Sequence, residues 1–449
     1  MIRRVFLVCF LCIGAWFSYA GALSLAGDGT SDAPFEIADA KAFAELVNAF
    51  TAGETDGDLS IVLTDDLDFT GVPFSPLGTA EKPFRGTLDG GGHVMRGIAI
   101  RTTPQTVSGV SLGVIGCADG ACVYDLTVEE MSVEVSTNVS GTAICAGLLC
   151  GSAAGEGITV ERCGASGSIN ARAPYGRLYI GGLVGRMKSD AEPARFCMTD
   201  AYADVSSGGR SRKNAFFGGL IGSLEATGDA VRVKNCRTAG TMTVTGGGSS
   251  GFAGGFAGYA HIEDDWSGWL TEATPENAVS HVENSVFAAY GTSDAVVSHV
   301  GALCGSSDGL TVSGCFSPYA ASGDGSLAFA DRAVLCDPAF WRDEAGFDLM
   351  HVWAEGVDAP MLRGCSPKPV YRYTGEEMTL AVIPPISGDR YTAIVAFFDE
   401  GNRMADAFVL SKNENRYTFT LKPVYQSASV FFINETTLSP VYRQVRFPV

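Results

Sequence analysis

The chain is 449 residues long, enough for two or three domains, and carries 31 basic against 50 acidic residues, a net charge of −19. So acidic a surface repels phosphate backbones and anionic lipid, which argues against nucleic acid or a charged membrane as a partner. Its 56 glycines recur at intervals rather than in low-complexity tracts, and that points to a repeat.

Residues 1–22 join Arg3 and Arg4 to an apolar run over 5–17 and then to the small residues Ser18, Ala20 and Ala22. This is the pattern of a secretory signal peptide, with cleavage expected after Ala20 or Ala22. No later apolar stretch reaches the length of about 18 residues needed to span a bilayer. The mature chain is therefore expected to be secreted or held at the cell surface, with no integral membrane span. Eleven cysteines follow the leader, an odd number, so not all pair within one chain in an oxidising compartment.

Residues 27–37 are turn-rich and end in a short strand. Asp39 then caps an expected helix in which Ala40, Phe43, Leu46, Val47 and Phe50 share one face. A single amphipathic helix ahead of a solenoid covers the open end of the first coil, whose apolar interior and unpaired strand edge would otherwise meet water. Beyond it come Ile61-Val62-Leu63 with Asp65, Asp66 and Asp68, then Phe74-Ser75-Pro76-Leu77-Gly78, then Pro83-Phe84-Arg85-Gly86-Thr87-Leu88-Asp89-Gly90-Gly91-Gly92-His93. The clustered carboxylates Asp65, Asp66 and Asp68 are weak calcium candidates, since hard cations take oxygen ligands. Turn and strand-edge chemistry is the preferred account of them, and His93 reads as a satisfied turn or core histidine.

An apolar-and-glycine hexamer then recurs. Residues 180–185 read Ile-Gly-Gly-Leu-Val-Gly, 217–222 Phe-Gly-Gly-Leu-Ile-Gly and 253–258 Ala-Gly-Gly-Phe-Ala-Gly, with weaker copies at 112–116, 146–151 and 300–305. Their last glycines, Gly116, Gly151, Gly185, Gly222, Gly258 and Gly305, are 35, 34, 37, 36 and 47 residues apart. Each unit adds two further short strands between Gly and Ser turns, as in 231–236 and 239–244. Three strands per unit fit one coil of a parallel β-helix. Inward side chains then stack on those of neighbouring coils at about 4.8 Å. Leu148, Leu183, Leu220, Phe256 and Leu303 are expected to form one such ladder, each buried member contributing roughly 1.5–3 kcal/mol. The glycines are expected where φ turns positive or a Cβ would crowd its neighbour. Cys163, Cys236 and Cys315 share a repeat position with Ala201 and Ser285, so they read as small hydrophobes at a tight interior corner. Cys117 with Cys122, Cys145 with Cys150 and Cys336 with Cys365 remain candidate bridges.

The order Gly-Asp-Gly-Thr, helix, Asp-x-Asp-Phe, Pro-Leu-Gly, Phe-x-Gly-Thr-Leu-Asp-Gly-x-Gly-His and Gly-Gly-Leu-Val-Gly repeats resembles the bacterial GLUG-repeat family over about residues 27–362. The resemblance implies a secreted right-handed β-helix, a group that includes surface adhesins and regions of immunoglobulin-A-cleaving metallopeptidases.

Between Gly258 and Ser285 the unit is overlong, and the extra segment carries Asp264, Asp265, Trp266 and Trp269. Solenoid insertions emerge as loops on one face. Tryptophan pairs beside carboxylates stack sugar rings and hold their hydroxyls, so these four are the candidate binding residues; a local staple over the coil is the alternative use of the rings. Phe347 and Trp353 are expected to cap the last coil. Ser366-Pro367-Lys368-Pro369 is a stiff linker. From 370 to 449 the glycine repeats stop and alternating strands with a turn at 399–402 indicate a small antiparallel sandwich, similar to immunoglobulin-like modules at the ends of bacterial surface proteins. The layout is thus a leader (1–22), a β-helix (23–365), a linker (366–369) and a sandwich (370–449).

Catalytic signatures are missing. His93, His261, His281, His299 and His351 provide no His-Glu-x-x-His, and no strand-to-helix nucleophile elbow or phosphate-cradling loop is evident. A polysaccharide lyase or glycosidase needs only two carboxylates across a cleft, for which Asp65, Asp66, Asp68 and Asp89 are the candidates, near the N-terminal cap. The expectation is a non-enzymatic protein without cofactor or metal, binding a glycan or an extracellular surface partner. A purely structural stalk is the third reading.

Overall fold

The computed structural model describes residues 25–449 apart from 56, 106–108, 189–194, 228–230, 246–249, 264–279, 295–296, 309, 320–327, 330–331, 336, 338, 350–351, 355–359, 364–369, 375, 383–390, 412–415 and 436–444. The leader and the linker therefore lie outside the described residues. Three parallel sheets wind around one apolar core, giving the expected β-helix. Register runs from coil to coil through Phe35, Ile61, Leu88, Val123, Val160, Met198, Val233, Val282 and Val312. β-Branched and linear apolar side chains fill that column because alternation sends every second residue inward. Among the described residues no helix is long and apolar enough to cross a membrane.

The hexamers make the bend between a short sheet and the longest one. Leu183, Leu220, Phe256 and Leu303 are 0–1 % exposed, and the N–H groups of Leu183, Leu220 and Phe256 donate to Leu220 O, Phe256 O and Leu303 O along this column. The member from the preceding coil is Leu149, not Leu148: Leu149 N donates to Leu183 O, and Cys150 pairs with Val184. Leu148 aligns instead with Gly182, whose carbonyl accepts its N–H. The glycines meet their expectation through crowding and not through φ, since none in the three strong hexamers has positive φ. Close approach requires them. A Cβ on Gly182 would lie 2.0 Å from Gly219 O, and one on Gly219 would lie 2.0 Å from Gly255 O.

The opposite corner is where φ turns positive. Asp125, Arg162, Asp200, Asn235, Asn284 and Gly314 occupy the left-handed region at φ 48–59°, one per coil. Their N–H groups stitch coil to coil, as from Asp125 N to Glu161 O and from Asp200 N to Lys234 O. Asp and Asn tolerate this region better than most residues with a Cβ. Arg162 is the exception, and its guanidinium is held by Asp125 at 2.7 and 2.8 Å.

The next residue in each coil points inward, and there the cysteine expectation holds. Cys163, Cys236 and Cys315 are 0–2 % exposed beside fully buried Ala201 and Ser285. Each thiol donates to carbonyls of its own and the preceding coil, Cys236 to Met198 O at 3.6 Å and Lys234 O at 3.4 Å. Ser285 Oγ donates the equivalent bond to Glu283 O at 2.7 Å. Burial pushes the Cys163 and Cys315 thiols up to about 12. The folded protein at about pH 8 is therefore expected to leave these cysteines unmodified by iodoacetamide, with labelling only after denaturation. Because a hydroxyl already fits the column, Cys236→Ser should cost no more than about 1 kcal/mol; rapid native labelling or collapse of that variant would contradict the packing.

Two expected disulfide candidates are corrected, since Cys117, Cys122, Cys145 and Cys150 are all free. Cys150 belongs to the solenoid core while Cys145 packs with Tyr179 and Phe216 in a separate cluster. Cys117 and Cys122 lie five residues apart on the strand Ile115–Tyr124, and an extended strand carries such residues beyond the separation of about 7 Å at which a bridge closes. Cys336 and Cys365 lie outside the described residues.

The N-terminal end of the solenoid is closed by the expected helix. The helix Ala40–Ala52 has Asp39 accepting from Lys41 N and Ala42 N, and it buries Ala40, Phe43, Leu46, Val47 and Phe50 in the same core as the first coils. Phe43 stacks on Phe74 at 6.0 Å and meets Phe69 edge-on at 5.9 Å, while Phe50 meets Phe84 at 6.3 Å. Lys82 Nζ donates to Phe50 O and Thr55 O, satisfying carbonyls near the helix end. At the other end Trp341, Phe347 and Trp353 form a cluster with Tyr202 and Val286, Phe316 packing against it. They cover the flank of the last coils rather than extending the core. Residues 370–449 form a three-stranded and a four-stranded antiparallel sheet around Met378, Leu380, Val395, Phe397, Tyr425, Val430 and Phe432. Ala381 of this unit packs on Ala354 and Met361 of the preceding segment.

Candidate functional site

The third sheet contains long strands, Thr127–Ser136, Gly164–Ala173, Tyr202–Ser211 and Arg237–Thr245. Alternation buries one set in register, Val133, Ile169, Ser207 and Met242, with little or no exposure. The other set must face solvent. It forms three rows along the solenoid axis: Ser132, Ser168, Ser206 and Thr241; Glu134, Asn170, Gly208 and Thr243; Ser136, Arg172, Arg210 and Thr245.

These rows shape a groove. Small side chains at Ser168, Ser206 and Gly208 make its floor, and a Cβ placed on Gly208 would meet nothing within 4 Å. Longer side chains at Glu134, Arg172 and Arg210 rise beside it. The depression has a volume of about 560 Å³. A neighbouring one of about 440 Å³, lined by Arg101, Thr103, Glu134, Ser136, Asn170 and Arg172, continues it toward the N-terminal end. Arg101 pairs with Glu134 across adjacent coils at 3.3 Å, both largely exposed; such a pair contributes little to stability. Hydroxyls and an amide that both donate and accept, on a rigid sheet open along its length, suit a linear polyhydroxylated chain.

A second outward feature is an aromatic column beside the hexamers. Tyr179, Phe216, Phe252 and His299 stack at centroid distances of 5.1, 5.0 and 4.6 Å. Tyr259 leans on Phe216 and Phe252, and the Arg186 guanidinium lies 4.7 Å over Tyr179. The ring faces are occupied by one another, so this column staples the coils outside the core and leaves few faces for a ligand. It was readable as the residue preceding each apolar-Gly step, which alternation turns outward.

The predicted candidates are dispersed. Asp264, Asp265, Trp266 and Trp269 lie outside the described residues. Asp65 Oδ1 accepts from Asp66 N at 2.7 Å and Asp89 Oδ1 from Gly91 N at 2.8 Å, both turn contacts. Asp68 meets Arg96 at 3.4 Å. Asp66 lies 3.5 Å from His93 and 3.7 Å from Arg96 and accepts from Val94 N. Burial raises its carboxyl, but those partners outweigh burial and hold it below the usual range. Among the described residues no three His, Cys, Asp or Glu side chains gather as a metal-binding group.

No protein-family model matches the chain. Over 171 residues, 36 % of the chain, it is 29 % identical to a protein named halomucin from Haloquadratum walsbyi, and the match spans 2 % of that protein's length. Among solved structures it is similar to a candidate immunoglobulin A1 protease from Bacteroides ovatus, 14 % identical, covering 76 % of this chain and 95 % of that one with a TM-score of 0.46.

Proposed function

We propose that the protein is a non-enzymatic, secreted or surface-held β-helix that binds a glycan along the outer face of its third sheet. The observation that carries this is the groove itself, with Ser168, Ser206 and Gly208 as its floor and Asn170, Thr243 and Arg172 as its polar walls. The GLUG-type motif order and the immunoglobulin-like strand pattern of residues 370–449 support an adhesive role. The segment around Trp266 and Trp269 is proposed as an accessory contact.

The test is a glycan array probed with the mature chain and with Ser206→Trp, which fills the floor from an exposed position. Specific retention by the parent and a loss of at least about tenfold in the variant are expected, equivalent to about 1.4 kcal/mol. Loss in Trp266→Ala with Trp269→Ala, while Ser206→Trp still binds, would move the site to that segment. Release of new reducing or unsaturated ends from a bound polysaccharide would replace the binding reading with an enzymatic one.

A further inference from the structure

The groove is a basic island on an acidic molecule. From Arg162 to Lys188 the chain contains Arg162, Arg172, Arg177, Arg186 and Lys188 and no carboxylate; from 205 to 224 it contains Arg210, Arg212 and Lys213 and again none. Two of these are consumed internally, Arg162 by Asp125 and Arg186 by Glu225. Arg172, Arg177, Arg210, Arg212 and Lys213 are exposed and have no carboxylate partner among the described residues. Close to the groove, Glu134 is engaged by Arg101, and Asp204 lies at the far end of the strand that carries Arg210.

Coil stacking concentrates this charge. Arg172 and Arg210 are register partners on adjacent strands, both lining the groove. The turns that follow them are tied together by Arg212 N to Pro174 O at 3.1 Å and by Ser211 Oγ to Gly176 O at 2.7 Å. They bring Arg212 to 6.0 Å over the ring of Tyr175, which is 46 % exposed. An exposed tyrosine carrying a guanidinium, in the turns that follow the strands bearing Arg172 and Arg210, offers an apolar ring face and charge together. Guanidinium groups grip carboxylate or sulfate through paired N–H donors.

We infer that the groove takes an acidic polysaccharide, lying along the solenoid axis with successive anionic groups on Arg172 and Arg210. This ligand class rests on the glycan reading above and narrows it by charge. Strand spacing of about 4.8 Å is close to the rise of one sugar residue in an extended chain, so adjacent coils meet adjacent sugars. Nucleic acid fits less well, because its denser charge, about one per 1.7 Å of duplex, meets the repulsion of a molecule carrying −19 overall.

The experiment is calorimetric titration of the mature chain with polygalacturonate, with dextran sulfate, with neutral dextran and with a single-stranded oligonucleotide, repeated with Arg172→Ala/Arg210→Ala and with Arg172→Lys/Arg210→Lys. Expected are binding of one or both acidic polysaccharides, little of neutral dextran or oligonucleotide, a loss of about tenfold to a hundredfold in the alanine variant, and a smaller loss in the lysine variant, which keeps charge without the fork. Carboxylate over sulfate, or the reverse, identifies the anion. Equal binding of neutral and acidic chains, or acidic binding indifferent to the alanine variant, overturns the charge assignment while the groove still binds glycan. Preference for the oligonucleotide overturns the polysaccharide class, and binding of no polysaccharide overturns both readings. The substituted side chains are exposed, and unchanged circular dichroism and melting verify that the variants are folded.

Discussion

Gly219→Ala is expected to be among the most damaging single substitutions in the solenoid, removing at least about 3 kcal/mol of stability. The new methyl would sit 2.0 Å from Gly255 O and 3.0 Å from Thr238 Cβ. The carbonyl it strikes belongs to a backbone held on both sides, by Gly219 N to Gly254 O at 3.0 Å and Gly255 N to Ala302 O at 3.1 Å. No flexible side chain is available to give way, so the coils must separate locally. Gly208→Ala is the matched control: its methyl enters open space, and a change within about 0.5 kcal/mol is expected. Urea unfolding of the two variants decides the matter. Similar midpoints would mean that close backbone approach does not explain the hexamer.

The second large effect is expected from Phe43→Ala with Phe50→Ala. Each ring is essentially fully buried, and the two have different aromatic partners, Phe69 and Phe74 for one and Phe84 for the other. Large-to-small changes of this kind cost about 3–5 kcal/mol each and add when partners are not shared. Solenoid coils interact mainly with their neighbours, so the loss should be local. Amide exchange is expected to accelerate over the strands Phe35–Ile37 and Ser60–Leu63 while the strands Gly164–Ala173 and Tyr202–Ser211 stay protected. Uniform acceleration along the chain would instead show that the solenoid unfolds as one unit.

The scaffold was legible because its signals are local and repeated. Asp39 and the face from Ala40 to Phe50 specify the capping helix, and Leu183, Leu220 and Phe256 recur at nearly constant spacing. Ambiguity entered where local identity does not fix register. Leu148 and Leu149 are both apolar and both buried, and a match on residue type alone does not separate them; laying 146–151 on 180–185 by their last glycines does, in agreement with the pairing of Cys150 with Val184. Spacing also proposed bridges at Cys145 and Cys150 that side-chain direction forbids. The groove was not legible for a different reason. Arg172 and Arg210 are far apart in the chain, and their proximity exists only through coil register. The overall acidic balance of the chain masks them.

The corner residues Asp125, Arg162, Asp200, Asn235, Asn284 and Gly314 and the hexamers fix two reference phases in each turn from Asp125 to Gly314. Chain length between them is free to vary so long as each arc returns to its mark. The intervals between corner residues show how far this freedom extends, from 30 residues between Asn284 and Gly314 to 49 between Asn235 and Asn284, with strand pairing preserved on both sides. A single residue added inside a strand has no such refuge, because it exchanges inward for outward along the remainder of that strand. The fold thus separates the parts of its sequence that keep time from the parts that are open to novelty, and it presents the latter on a rigid and already stable surface.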